Sequence, residues 1–221
     1  MTKEPASHTH FSAWDKEYAH VRWGGAAPIE PIRSRIPEGC RILDAGSGKG
    51  RHLLPLSNFY DCTGIDVSPT ALKASREYLA KREREAHHAV SSITHLPFSD
   101  NSFDGIVCFG VLQHLMENER EKAVAEFKRV LKPGGTIFLE VFGIKDMRYG
   151  GDAVEPHTFV RQSGIIYHYF TKEELEYLFR DFGKLDIKNV ITEKKFRGEL
   201  HTRHMINGTI QMASEIDAKI C

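Results

Sequence analysis

Arg41-Ile42-Leu43-Asp44-Ala45-Gly46-Ser47-Gly48-Lys49-Gly50-Arg51 is the stretch on which the reading of this 221-residue chain turns. An apolar run rises into an acid, and glycines then alternate with other residues before helix-compatible sequence begins. That order predicts a first parallel strand ending in a Gly-rich turn, with a ligand cleft at the carboxyl edge of the sheet. Lacking a Cβ, Gly46 and Gly48 let the backbone turn tightly and approach a ligand closely. A Walker-type phosphate loop needs G-x-x-x-x-G-K-[ST], and that spacing is absent. The dinucleotide fingerprint G-x-G-x-x-G fails too, because Arg51 stands where its third glycine belongs. What remains is Asp-x-Gly-x-Gly-x-Gly, a turn that other α/β proteins could also use.

Working outward, Arg51 to Asn58 reads as helical, with Pro55 tolerated only near a first turn. Cys62 to Asp66 reads as a second strand ending in an acid, 20 residues past Gly46. A carboxylate there can accept hydrogen bonds from both hydroxyls of a ribose. Its other possible role, capping a helix, suits Ser68 better, directly before Pro69. A helix is expected from Pro69 to about Glu85, with Lys81-Arg82-Glu83-Arg84-Glu85 as a solvated face. His88 to Ser91 forms a short third strand, followed by Ser92-Ile93-Thr94-His95-Leu96-Pro97-Phe98. Gly105 to Phe109 is an apolar fourth strand leading into Gly110-Val111-Leu112-Gln113-His114-Leu115. Asn118 to Val130 is an amphipathic helix, closed by Leu131-Lys132-Pro133-Gly134-Gly135, and Thr136 to Phe142 is the fifth strand.

Together these segments resemble the class I S-adenosylmethionine (SAM) dependent methyltransferases. The resemblance rests on the glycine loop, on Gly64-Ile65-Asp66-Val67-Ser68, on the Leu96-Pro97-Phe98 segment, and on Arg129-Val130-Leu131-Lys132-Pro133-Gly134-Gly135 before an apolar strand. It implies an α/β, Rossmann-like fold: a seven-stranded, mostly parallel sheet with one antiparallel strand and helices on both faces. It also implies SAM as cofactor, S-adenosylhomocysteine as product, and methyl transfer by in-line attack of a substrate nucleophile. Asp44, Gly46, Ser47, Gly48, Asp66, Val67, Ser92, Ile93, Phe109, Gly110 and Val111 are then the expected cofactor contacts. One departure stands out: the family usually has an Asp four residues before Leu-Pro-Phe, and here Ser92 holds that place. Its hydroxyl can still accept a hydrogen bond from adenine.

Thirty Lys and Arg balance thirty Asp and Glu, so no global field draws the protein to nucleic acid or to an anionic membrane. Cys40, Cys62, Cys108 and Cys221 are scattered, which predicts reduced thiols, no zinc site and a cytoplasmic protein. No apolar run reaches membrane-spanning length. Residues 1–36 read as a polar tail and a helical lid, in which Phe11, Trp14, Tyr18 and Trp23 recur at helical intervals, ahead of a short helix within 28–36. Residues 37–221 read as one SAM-dependent domain with a substrate-side insertion at about 143–169, expected as a long loop.

On the substrate side, Trp14, Tyr18, Tyr149 and His157 are the candidate contacts, and His114, Tyr149 and His168 the candidate catalytic groups. For His114 and His168 a purely structural role is the competing reading. Thr171 with Glu174 forms a capping-box pattern that opens a helix to about Phe182. Leu185 to Thr192 and Met205 to Ala213 are two final strands linked through Gly198. The cluster Lys194-Lys195-Phe196-Arg197 with Arg203 and His204 is either a solvated turn or an anion site. The leading acceptor is a small molecule presenting O, N, S or another chalcogen. The alternatives are a tRNA or protein acceptor docked on the basic hairpin, and a SAM-binding protein without turnover.

Overall fold

A computed structural model describes residues 7–20, 26–196 and 198–214, without the side chains of 7–11 and 20. The expected contributions of Phe11, Trp23, Arg197 and Cys221 therefore lie outside the described side chains. Strands β1 (Arg41–Ala45), β2 (Asp61–Asp66), β3 (His87–Val90), β4 (Phe103–Phe109), β5 (Leu131–Phe142), β9 (Gly183–Phe196) and β10 (Glu199–Met212) form one sheet in the order β3-β2-β1-β4-β5-β10-β9. Among them β10 alone runs against its neighbours, pairing antiparallel with both β5 and β9. This is the seven-stranded, mostly parallel sheet expected from the sequence.

Both faces of the central strands are covered, so successive residues enter opposite cores. Leu43, Ile106 and Ile137 pack with Phe127, Phe170 and Phe179 on one face. Ile42, Val107 and Phe138 pack with Ile32, Ile36 and Leu53 on the other. The helices that supply these cores are α2 (Glu30–Arg33), α3 (Leu53–Leu56), α4 (Pro69–Ala80), α5 (Glu117–Val130) and α6 (Lys172–Leu178). Ser68 caps α4 by accepting the Ala71 amide, and Pro69 follows in its first turn, as the sequence predicts. The helix ends earlier than expected, at Ala80, and the exposed Lys81–Glu85 run is a turn. Likewise α3 is four residues long and α6 stops at Leu178. Thr171 caps α6 through the Glu174 amide, but the Glu174 carboxylate turns to His168 instead of closing a capping box. No helix among the described residues is long and apolar enough to cross a membrane.

Two segments differ more. The insertion is not a bare loop: β6 (Asp152–Glu155), β7 (Thr158–Val160) and β8 (Ile166–His168) make a separate three-stranded antiparallel sheet. Its inner face packs Phe159 with Phe142 and Tyr169. The closing hairpin is also longer than the sequence suggested. Pairing of β10 with β5 begins at Met205 opposite Phe142, while β9 and β10 stay paired out to Phe196 and Glu199. The hairpin thus projects beyond the carboxyl end of β5, on the edge of the sheet where the cleft lies.

Candidate functional site

The strand order reverses between β1 and β4, and the crevice above that switch point is where an open α/β sheet binds its ligand. The glycine loop forms its floor. Gly46 and Ser47 donate their amides to the Ile65 carbonyl, at 2.9 and 2.8 Å, which pins the loop to β2. Gly46 has φ +86°, and a Cβ there would sit 2.3 Å from Val111 Cγ2. Glycine is therefore required twice over, by conformation and by space.

Asp66 ends β2 facing this loop. Its carboxylate accepts the Gly48 amide at 2.9 Å and the Ser68 amide at 2.9 Å. Val67 and Ser92 with Ile93 add one wall, and Gly110 with Val111 the other. Trp14 and Tyr18 of helix α1 (Ser7–His20) close the cleft from above. The helix is tied down by Asp15, whose carboxylate accepts the Ser68 hydroxyl at 2.5 Å and the Thr70 amide at 3.2 Å. Tyr18 also hydrogen-bonds the Asp66 carboxylate.

Electrostatically, burial makes the charged form costly for both carboxyls of the floor. Burial pushes the Asp44 carboxyl from 3.8 up to about 8, and the Asp66 charge adds to the shift. Burial likewise raises Asp66 to about 6, held back by amide hydrogen bonds from Ser68, Gly48 and Val67. Asp44 Oδ2 and Ser47 Oγ are buried without a protein partner, so polar capacity is left unused under the loop.

A folded-state pKa above the unfolded one makes the carboxylate a liability, because the unfolded chain ionises first as pH rises from about 4 to about 8. Asp44→Asn removes that liability. Its melting temperature should exceed wild type by a margin that grows from about pH 5 to about pH 8 and then levels. Thermal unfolding of both proteins across that range checks it; a margin independent of pH would contradict the assignment.

The remaining candidates separate clearly. His114 lies in the cleft wall, its Nδ1 against the Ile166 carbonyl at 2.8 Å. Its ring meets Trp14 and Tyr167 edge-on, at 4.6 and 4.8 Å between centroids. The Phe109 ring turns away from the cleft and packs on His52, so only the backbone at that position borders the loop that follows. His168 is buried with both nitrogens engaged, by Thr158 Oγ1 at 2.8 Å and Glu174 at 2.9 Å. The geometry makes it a brace between β8 and α6, against its standing as a catalytic candidate. Tyr149 and His157 pair with each other at 2.7 Å on the insertion, outside the cleft.

The basic cluster of the hairpin is divided. Arg203 is bound to buried Asp146 at 2.9 Å, and His204 is buried with Nε2 on Asn189 at 2.8 Å, which leaves Lys194 and Lys195 as its exposed described members. Three contributors escaped the sequence reading. Ser91 and Leu115 line the cleft without a motif to mark them as site residues, and Asp15 acts through a partner 53 residues away.

A family model described as a methyltransferase domain matches residues 43–139. A solved SAM-dependent methyltransferase from Methanosarcina mazei is 27% identical, covers 87% of this chain and 100% of its own, and superposes with a TM-score of 0.67. Residues 43–139 form a methyltransferase domain of the class I SAM-dependent type. SAM is its cofactor. Among curated relatives, the tRNA N(3)-cytidine methyltransferase METTL2 of Danio rerio is 28% identical over 191 residues, 79% of this chain and 54% of that protein. The chain thus spans about half the length of that relative. In fold alone, the methyltransferase also matches the Burkholderia thailandensis 1,6-didemethyltoxoflavin-N1-methyltransferase, solved with S-adenosylhomocysteine, with a TM-score of 0.70 at 19% identity over 97% of this chain and 93% of that one.

The residues present suit such a ligand. Asp66 offers a carboxylate to a ribose diol, and the unused oxygens of Asp44 and Ser47 lie beneath the glycine loop. The methyltransferase needs no phosphate cradle, consistent with the missing dinucleotide and Walker spacings.

Proposed function

We propose that this methyltransferase transfers the methyl group of SAM to a nucleotide of tRNA. The observation that carries the reading is the extent of the likeness to METTL2: 191 residues, against the 97 of the methyltransferase-domain match at 43–139. The resemblance therefore extends beyond the residues of the methyltransferase-domain match.

Bound SAM supplies an electrophilic methyl on a sulfonium that departs as a neutral thioether. The chain's work is to align three atoms and keep water out. Asp66 would hold the ribose, Ser92 and Ile93 would flank the adenine, and Gly46 with Gly48 would keep the floor low enough for close approach. Gly110 and Val111 border the reacting end. His114, its ring fixed by the Ile166 carbonyl, stands on the acceptor side; it can position a nucleophile, and it can take a proton from one that still carries it.

In this reading residues 1–36 carry a lid and 37–221 the SAM-dependent domain. Helix α1 is the lid, because Tyr18 holds the carboxylate that the ribose needs and must yield it on binding. Trp14 then screens the reacting atoms from solvent.

A second reading, methyl transfer to a free small molecule, is favoured by the formal net charge of zero, since RNA-binding domains usually carry a basic excess. Incubation with methyl-labelled SAM and separate total-tRNA and metabolite fractions decides between them. Label is expected in tRNA, as a methylated nucleoside after digestion. Label confined to metabolites would replace the first reading by the second, and SAM binding with no label anywhere would mean a chain without turnover.

A further inference from the structure

Beside the cleft lies a second hollow, walled by the insertion and by helix α1. Arg148 and Arg161 line it with Tyr149 and Tyr167, and Glu17 stands on the rim. It adjoins the cleft directly: the Tyr167 ring packs edge-on against His114, which lines the cleft, and Glu17 neighbours Tyr18 in α1.

The charges in this hollow do not cancel. Asp146, whose side chain is fully buried, is the partner of two arginines, Arg148 at 2.7 Å and Arg203 at 2.9 Å. Arg161 is held by neutral groups alone: its Nη2 donates to the Arg148 carbonyl and, at 2.8 Å, to the Tyr169 hydroxyl. Among the described residues no carboxylate pairs with Arg161. Asp152 borders its outer side and Glu17 shares the hollow, but neither forms an ion pair with it. Two guanidinium groups therefore share one buried carboxylate, and Arg161 adds a third with no carboxylate of its own. An arginine kept by carbonyl and hydroxyl acceptors retains its charge and its remaining N–H donors for an anion.

The backbone keeps space open over that donor edge. Gly150 and Gly151 have φ of +111° and +130°, and a Cβ on Gly151 would lie 3.3 Å from Arg161 Nη1. At the mouth, Tyr149 is 41% exposed, with its ring braced by Phe159 and Tyr169 in T-shaped contacts. A planar ring could stack there while an attached anion reached Arg161.

We propose that this hollow is the phosphate subsite of the acceptor, with Arg161 as the anion-binding residue and Tyr149 as the stacking surface. It receives the phosphate of one nucleotide unit while an adjoining part of the acceptor enters the cleft past His114. The inference rests on the tRNA reading for its polymer, but the phosphate chemistry is testable without RNA.

Each of the four ribonucleoside 5′-monophosphates and its parent nucleoside is titrated into the full chain saturated with S-adenosylhomocysteine. At least one monophosphate should bind about tenfold more tightly than its nucleoside. Arg161→Met should erase that difference, and Arg161→Lys should restore part of it. Tyr149→Leu should weaken nucleoside and nucleotide alike, a split that general unfolding would not produce. S-adenosylhomocysteine affinity and melting temperature report whether each variant is folded.

A phosphate preference absent from wild type, or retained in folded Arg161→Met, overturns the subsite. A preference that depends on Arg161, with methyl label only in metabolites, supports the subsite and overturns the tRNA reading. The two failures are thus distinguishable.

Discussion

Asp66→Ala should bind SAM on the order of a hundredfold more weakly than wild type. Two losses combine. The ribose diol loses a charged acceptor, and hydrogen bonds to charged groups are worth about 1.5–3 kcal/mol, with about 1.4 kcal/mol per factor of ten. The Gly48 and Ser68 amides lose the carboxylate that now holds them at 2.9 Å, so the loop that must meet the cofactor is freed as well. Asp66→Asn, which keeps one acceptor oxygen, should fall between the two. Folding should tolerate both changes, because burial already raises this carboxyl to about 6 and its charge is a cost to the fold. Calorimetric titration with SAM gives the affinities. A wild-type affinity in folded Asp66→Ala would mean that the ribose is held by other groups.

The second large effect belongs to Gly46→Ala, expected to lower SAM affinity by more than a hundredfold or to unseat the loop altogether. An L-residue at φ +86° pays about 1–2 kcal/mol in backbone strain. The new methyl would also lie 2.3 Å from Val111 Cγ2 and 2.9 Å from Cγ1, inside any tolerable contact. Relief requires the Gly110–Val111 wall of the cleft to move. The double variant Gly46→Ala/Val111→Ala removes the two closest atoms and leaves the third contact at 3.1 Å. It should recover about tenfold in affinity but not reach wild type, because the dihedral strain persists. Equal losses in the single and double variants would show that strain alone, and not the Val111 wall, sets the requirement for glycine.

Particular residues show where the chain was readable before it folded. Arg41–Arg51, Asp66 and the Ser68-Pro69 cap declare themselves because their signals are local: a strand period, turn residues without a Cβ, a capping hydroxyl followed by proline. The central strands could be placed because each is buried on both faces and so reads as a continuous apolar run. The parallel order then followed from the resemblance that those runs and their turns carried.

Other features depended on partners distant in sequence. The strands of the insertion are three or four residues long, too short to show a period; they exist because Phe159 and Tyr169 pack on Phe142. Arg203 and His204 look like members of an exposed basic turn until Asp146 draws the first inward and Asn189 receives the second. His168 stands between a catalytic and a structural reading until Thr158 and Glu174 occupy both its nitrogens. The sequence by itself determined the cofactor half of this protein, since the glycine loop and Asp66 lie within 21 residues of one another along the chain, from Gly46 to Asp66. Only the tertiary structure decided the surroundings of the second hollow. There the neutral holding of Arg161, the sharing of Asp146 and the adjacency of Tyr167 to His114 arise from contacts across the insertion, α1 and the final hairpin, which no local pattern encodes.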